Sequence, residues 1–168
     1  MVEDWQKIVF AVIAVGMAVA AFRVVTARNV VHAALYLVAT LLGAAAIFVL
    51  LLAEFVAWVQ VLVYVGAIVV LMLFGLMLTR APIGSGNFDN SQRWLAALCA
   101  GAVFAVSSWI MLEAFEGQEI SLRGASGTKT REIGEVIFSS FVLPFEVVSV
   151  LLLAALVGAV VIARRDEG

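Results

Sequence analysis

The feature that most constrains this chain is a single carboxylate, Glu54, flanked by two stretches without Lys, Arg, Asp or Glu, 29–53 and 55–79, which Arg28 and Arg80 close. A hydrocarbon core of about 30 Å is crossed by about 20 helical residues at 1.5 Å each, so either stretch alone spans a bilayer. Glu54 therefore marks a hairpin at the membrane boundary. Barrel strands are excluded, because the apolar runs lack period-2 polar alternation and are about twice the length of a barrel strand.

Composition extends the reading to the whole chain: 65% of the 168 residues are apolar and 13% charged, against about 45–50% and about 25% in soluble domains. The expectation is an all-α integral membrane protein, a single membrane domain over 1–168. Its five transmembrane helices are expected at about 6–27, 30–53, 55–79, 94–112 and 136–163, with polar connections at about 80–93 and 113–135. Pro144 and Glu146 interrupt the fifth. Ala18-Val19-Ala20 imitates a signal-peptide cleavage site, but Glu3 and Asp4 stand where a leader is basic, so the first span is expected to be retained. Arg23, Arg28, Arg80, Arg93, Arg164 and Arg165 fall on one side, and Lys7, Arg123, Lys129 and Arg131 on the other. That excess predicts the N-terminus out and the C-terminus in.

The net charge of −2 offers no basic surface, which excludes nucleic acid as a partner and leaves the lipid bilayer. Cys99 is the only cysteine and His32 the only histidine. No disulfide, iron-sulfur cluster or Cys/His zinc site can be assembled from this chain alone. Gly84-Ser85-Gly86 lacks the Lys-Ser/Thr of a phosphate loop and reads as a turn. His32, at the start of the second span, admits proton transfer, but a hydrogen-bonded helix-end residue is the simpler reading. Trp5, Trp58, Trp94 and Trp109 read as interfacial anchors. Small residues four apart, Ala39 with Gly43, Ala97 with Gly101 and Ala105, Ala154 with Gly158 and Ala155 with Ala159, allow close helix contacts within the chain or with other chains.

An ion carrier usually keeps an ionisable group near the midplane. Here Glu54 lies at the hairpin, and Glu146, separated from Arg164 by about 26 Å of helix, belongs near the same outer boundary. Either carboxylate could serve as a polar relay with a partner, or remain a solvated interface group. The midplane of the third span carries Tyr64, about 15 Å from Glu54. Gln60, four residues earlier, shares its face, and an amide and a phenol there can hold water. In Tyr64-Val65-Gly66-Ala67 the glycine has no Cβ, so this stretch can host a π-bulge. Spacing alone favours plain close packing over the bulge.

Glu54-Phe55 followed by Val59-Gln60-Val61-Leu62-Val63-Tyr64-Val65-Gly66-Ala67-Ile68-Val69-Val70-Leu71 closely resembles the subunit J (NuoJ) family of bacterial NADH-quinone oxidoreductase, respiratory complex I. Arg28-Asn29 with Val31-His32-Ala33-Ala34-Leu35, and Phe141 through Arg165 with Pro144-Phe145-Glu146, resemble the family's second and fifth helices. Val30 stands where that family often has proline. The resemblance implies a non-redox membrane-arm subunit that helps couple quinone reduction to proton translocation in a multi-pass bacterial inner (cytoplasmic) membrane location. It implies two neighbours, the quinone-site subunit and the small two-glutamate subunit. FMN, iron-sulfur clusters and quinone are expected in partner subunits, with no catalytic, cofactor or metal residue in this chain. It further implies a π-bulge gate at Tyr64, Val65, Gly66 and Ala67, whereas Gln60, Glu54 and Glu146 are candidate relay groups by their own chemistry and depth, Glu54 standing at a position where that family tolerates variation. The alternatives are a related module of a multisubunit cation/proton antiporter or membrane-bound hydrogenase, and a purely structural assembly subunit.

Overall fold

The computed structural model describes residues 2–78, 93–117, 127 and 129–164, and every element among them is helical. In chain order these are α1 (Val2–Thr26), α2 (Val30–Leu50), α3 (Glu54–Val59), a π-helix π1 (Gln60–Val69), α4 (Val70–Leu78), α5 (Arg93–Ala114), α6 (Thr130–Ser139) and α7 (Val142–Ala163). Because α3, π1 and α4 are continuous, five segments are long and apolar enough to cross a membrane: Trp5–Thr26, Val30–Leu50, Glu54–Leu78, Trp94–Ala114 and Val142–Ala163. The expected turn at Gly84-Ser85-Gly86 lies outside the described residues, as do Arg80, Arg123 and Arg165.

Helix α2 starts where Asn29 Oδ1 accepts the Val31 N–H at 2.9 Å. Proline is favoured at a first helical position because the N–H there is unpaired in any case, so Val30 serves equally well once Asn29 provides the cap. The helix stops at Leu50, three residues short of the expected end, in a Schellman turn. The Leu52 N–H donates to Val49 O at 3.0 Å and the Ala53 N–H to Phe48 O at 2.9 Å, with Leu52 at φ 61 in the position glycine usually fills.

The fifth span also departs from expectation. It is expected as one helix from 136, but α6 ends at Ser139 and α7 begins at Val142. Pro144 explains the break. In a continuous helix its ring would meet the Ser140 carbonyl and leave it unbonded, whereas in the first turn of a new helix the missing N–H costs nothing. The rings of Phe138 and Phe145 meet edge to face across the elbow, 5.1 Å between centroids. The break turns the end of the expected polar connection into α6, whose Ile133, Gly134 and Ile137 are half-buried while Arg131 and Glu135 pair outside at 2.8 Å.

Helix α2 is the hub: α1 packs along one side, and α3, π1 and α4 along another. Among the described residues the buried ones are Ala20, Ala34, Ala45, Ala57 and Val69. Four alanines in five positions mean that backbones approach closely, which is how helices associate where lipid removes the hydrophobic drive. Gly43 shows it directly, since a Cβ there would collide with Met17 Cγ. Two hydroxyls in the spans fold back onto the preceding turn, Thr40 Oγ1 to Tyr36 O at 2.9 Å and Ser149 Oγ to Phe145 O at 2.8 Å, which satisfies those donors within their own helices. Arg23 ends α1 with its guanidinium 5.9 Å from the Tyr36 ring centroid on α2.

The remaining spans stand apart. Among the described residues α5 packs on no other element, and α7 packs only on α6, which also touches α3. A Cβ added at Gly101 or at Gly158 would have nothing within 4 Å. The chain exposes 14279 Å², where a compact soluble protein of its mass would expose about 8,000 Å². A surface of that size is one that lipid and neighbouring chains cover.

Candidate functional site

The third span begins with Glu54 on the first turn of α3 and passes into π geometry six residues later, at about 9 Å of depth. Ten consecutive residues, Gln60–Val69, then follow the wide i→i+5 pattern. A single wide turn is the usual extent of such geometry inside an α-helix, and it recurs at functional sites. Tyr64, Val65, Gly66 and Ala67 all lie within π1.

Two buried residues bracket this segment. Ala57 lies just ahead of it and is 4% exposed, and Val69 closes it at 2%, the most buried side chain among the described residues. Between them Leu62, Val63, Tyr64, Gly66, Ala67 and Ile68 are exposed, and Tyr64 keeps 48% of its surface open. The segment is thus anchored at both ends and uncovered in the middle. No other helix of this chain comes within reach of Gly66 among the described residues: a Cβ would meet only Val61 O, at 3.4 Å, the carbonyl five residues back in its own ladder. Close packing at Gly66, the reading that spacing favoured, has no counterpart within this chain.

Gln60 is half-buried. Among the described residues neither its amide nor the Tyr64 hydroxyl makes a side-chain hydrogen bond, so both are available to water or to a neighbour. Between Glu54 and Arg80 the span has no ionisable acid or base of its own apart from the phenol. Water at this level would meet an amide and a phenol and no charged side chain of this span. One residue of an α-helix spans about 100°, so taking one surplus residue out of the π-turns would rotate everything downstream by about that angle.

The two carboxylates stand at related but separate places. Glu54 is exposed at the mouth of a groove between α2 and α3, and Glu146 is exposed on the second turn of α7. Helix α6 bridges α3 and α7, yet α3 and α7 do not touch, so the two groups are not gathered into one site. His32 is exposed in the first turn of α2 and makes no side-chain hydrogen bond among the described residues. No group of three or more His, Cys, Asp or Glu assembles among the described residues, and Cys99 is exposed on α5.

Sequence reasoning did not find the length of the π segment, the burial of Val69 or the groove. The glycine marked Tyr64–Ala67 as a place for a bulge, but nothing in the sequence marked the ends of the segment at Gln60 and Val69.

Known proteins extend this picture. The NADH-ubiquinone/plastoquinone oxidoreductase chain 6 family matches residues 20–162. The F(420)H(2) dehydrogenase subunit J of Methanosarcina mazei is 38% identical over 96% of this chain and 92% of its own length. The NAD(P)H-quinone oxidoreductase subunit 6 of the Mesostigma viride chloroplast is 39% identical over 98% and 87%. The NAD(P)H-quinone oxidoreductase chain 6 of Synechocystis is 38% identical over 99% and 84%.

Proposed function

We propose, from the premise that this chain belongs to the NADH-ubiquinone/plastoquinone oxidoreductase chain 6 family, that it is a non-redox membrane subunit which gates proton movement in a quinone-reducing complex. The observation that carries the reading is π1 itself: a ten-residue π-helix, anchored at Ala57 and Val69 and open between them, in a span without an acid or a base at that level. Protons then travel on carboxylates of neighbouring subunits. This chain's part is to open or close the path by turning the half-span after Gly66, with Gln60 and Tyr64 ordering water on the near side. Glu54 and Glu146 serve as boundary relays.

In this reading α5 and α7, uncovered within the chain, are covered by other membrane-arm subunits, among them the quinone-site subunit and the small two-glutamate subunit. Flavin, iron-sulfur clusters and quinone belong to partners, consistent with the donor set of this chain. The N-terminus faces out and the C-terminus in, across the bacterial cytoplasmic membrane. Similarity does not choose the electron donor, since relatives named for F(420)H(2) and for NAD(P)H are both 38% identical to this chain.

The test is Gly66→Val in the assembled complex, with protons moved per electron pair as the readout. Position 66 is exposed and its first added carbon makes an ordinary contact, so assembly is expected to persist. Gating predicts that proton movement falls more than quinone reduction. An unchanged ratio would assign the chain a structural role only.

A further inference from the structure

Between the second and third spans the hairpin forms a groove of about 440 Å³, with Glu54, one of the proposed boundary relays, at its mouth. Leu42, Ala46 and Val49 form its α2 wall, and Glu54, Trp58 and Val61 line the opposite side. It runs from the membrane boundary at Val49 and Glu54 to Leu42 and Val61, seven residues or about 10 Å into the hydrocarbon. Its walls are apolar except for Glu54 at the mouth. Trp58 stands at the lip, 64% exposed, at the level where indoles meet headgroups. Among the described residues no cation pairs with the Glu54 carboxylate.

We infer that this groove is a binding site for an aminophospholipid of the phosphatidylethanolamine type. Its ammonium group pairs with Glu54, and an acyl chain lies along Leu42, Ala46 and Val61. Charge complementarity selects the headgroup, since a lone carboxylate repels anionic lipids and pairs with an ammonium. The apolar walls run about 10 Å into the hydrocarbon, a lining that an acyl chain can follow. The inner end of the site reaches Val61, the second residue of π1, so the lipid touches the segment that the proposed function sets in motion. The inference needs the hairpin to lie in a membrane and does not need the gate to move.

The experiment uses the protein in its native membrane assembly, reconstituted in nanodiscs with a phosphatidylethanolamine that carries a photoreactive diazirine at mid-chain. Labelling is expected within residues 42–61, displaced by unlabelled phosphatidylethanolamine but not by phosphatidylglycerol. It should fall about tenfold in Glu54→Gln, the loss expected when a charge-assisted contact is removed, and vanish in Ala46→Trp, which fills the groove. If Ala46→Trp does not assemble, Glu54→Gln and the competition carry the result, because the Glu54 side chain is exposed and holds no packing. Equal labelling by a phosphatidylglycerol analogue, labelling indifferent to Glu54→Gln, or cross-linking of Ala46→Cys to a partner subunit instead of lipid would overturn the assignment. None of these outcomes depends on turnover, so they are separate from the fate of the gating reading.

Discussion

Gly127 sits on Leu52 so closely that a Cβ at position 127 would fall against the Leu52 carbonyl oxygen and 2.6 Å from the Leu52 Cβ. The contact joins the long connection after α5 to the turn that launches the third span. Leu52 holds φ 61 there, a left-handed conformation that disfavours a side chain by about 1–2 kcal/mol. Its two turn hydrogen bonds and the glycine above it hold it in place. Gly127→Ala should therefore destabilise by about 1–3 kcal/mol, since backbone has to move. Leu52→Gly should stay within about 1 kcal/mol of the parent, because relief of strain is offset by glycine's entropy. Thermal unfolding of the solubilised assembly measures both, and an unaltered Tm for Gly127→Ala would contradict the contact.

Gly43 makes the corresponding test of the α1 and α2 packing. A Cβ there collides with the flexible Met17 side chain and with no backbone atom. Gly43→Ala is expected to cost about 1 kcal/mol and Gly43→Leu about 3 kcal/mol. Met17→Ala should restore most of the Gly43→Ala loss. Additive losses in that pair would mean that the two helices do not meet here.

Tyr64→Phe separates the hydroxyl from the ring. The residue keeps nearly half its surface open, so assembly should be unaffected. Turnover coupled to proton movement should fall several-fold, by about 1 kcal/mol in barrier if one water-mediated hydrogen bond is lost. Measured in membrane vesicles, equal coupled rates would reduce Tyr64 to a packing group.

The elbow between α6 and α7 predicts coupling between Phe138 and Phe145. Their edge-to-face contact is worth about 0.5–1.5 kcal/mol beyond the area it buries. A double-mutant cycle of Phe138→Ala and Phe145→Ala, read by unfolding in mixed micelles, should return a coupling energy in that range. Additivity of the two single losses would show the rings to be independent.

Five apolar segments, the hairpin at Glu54 and the helical class were legible in the sequence, because charge spacing and the thickness of a bilayer leave few other solutions. The elbow at Pro144 was half legible: the proline was visible as an interruption, but that the chain would restart as α7 at Val142 depends on where the proline's missing N–H is harmless. The end of α2 was not legible, since the usual glycine of such a turn is replaced by Leu52.

What the sequence determined by itself is that this chain belongs in a membrane and crosses it as helices, for both follow from residue types and the lengths of the uncharged runs. Tertiary structure decided the rest. The π geometry of Gln60–Val69 is held between Ala57 and Val69, the groove exists only where α2 and α3 lie side by side, and among the described residues α5 is left without a neighbour in its own chain. Each depends on which helices approach closely, and in a bilayer that is settled by shape and not by apolarity, which every span here shares.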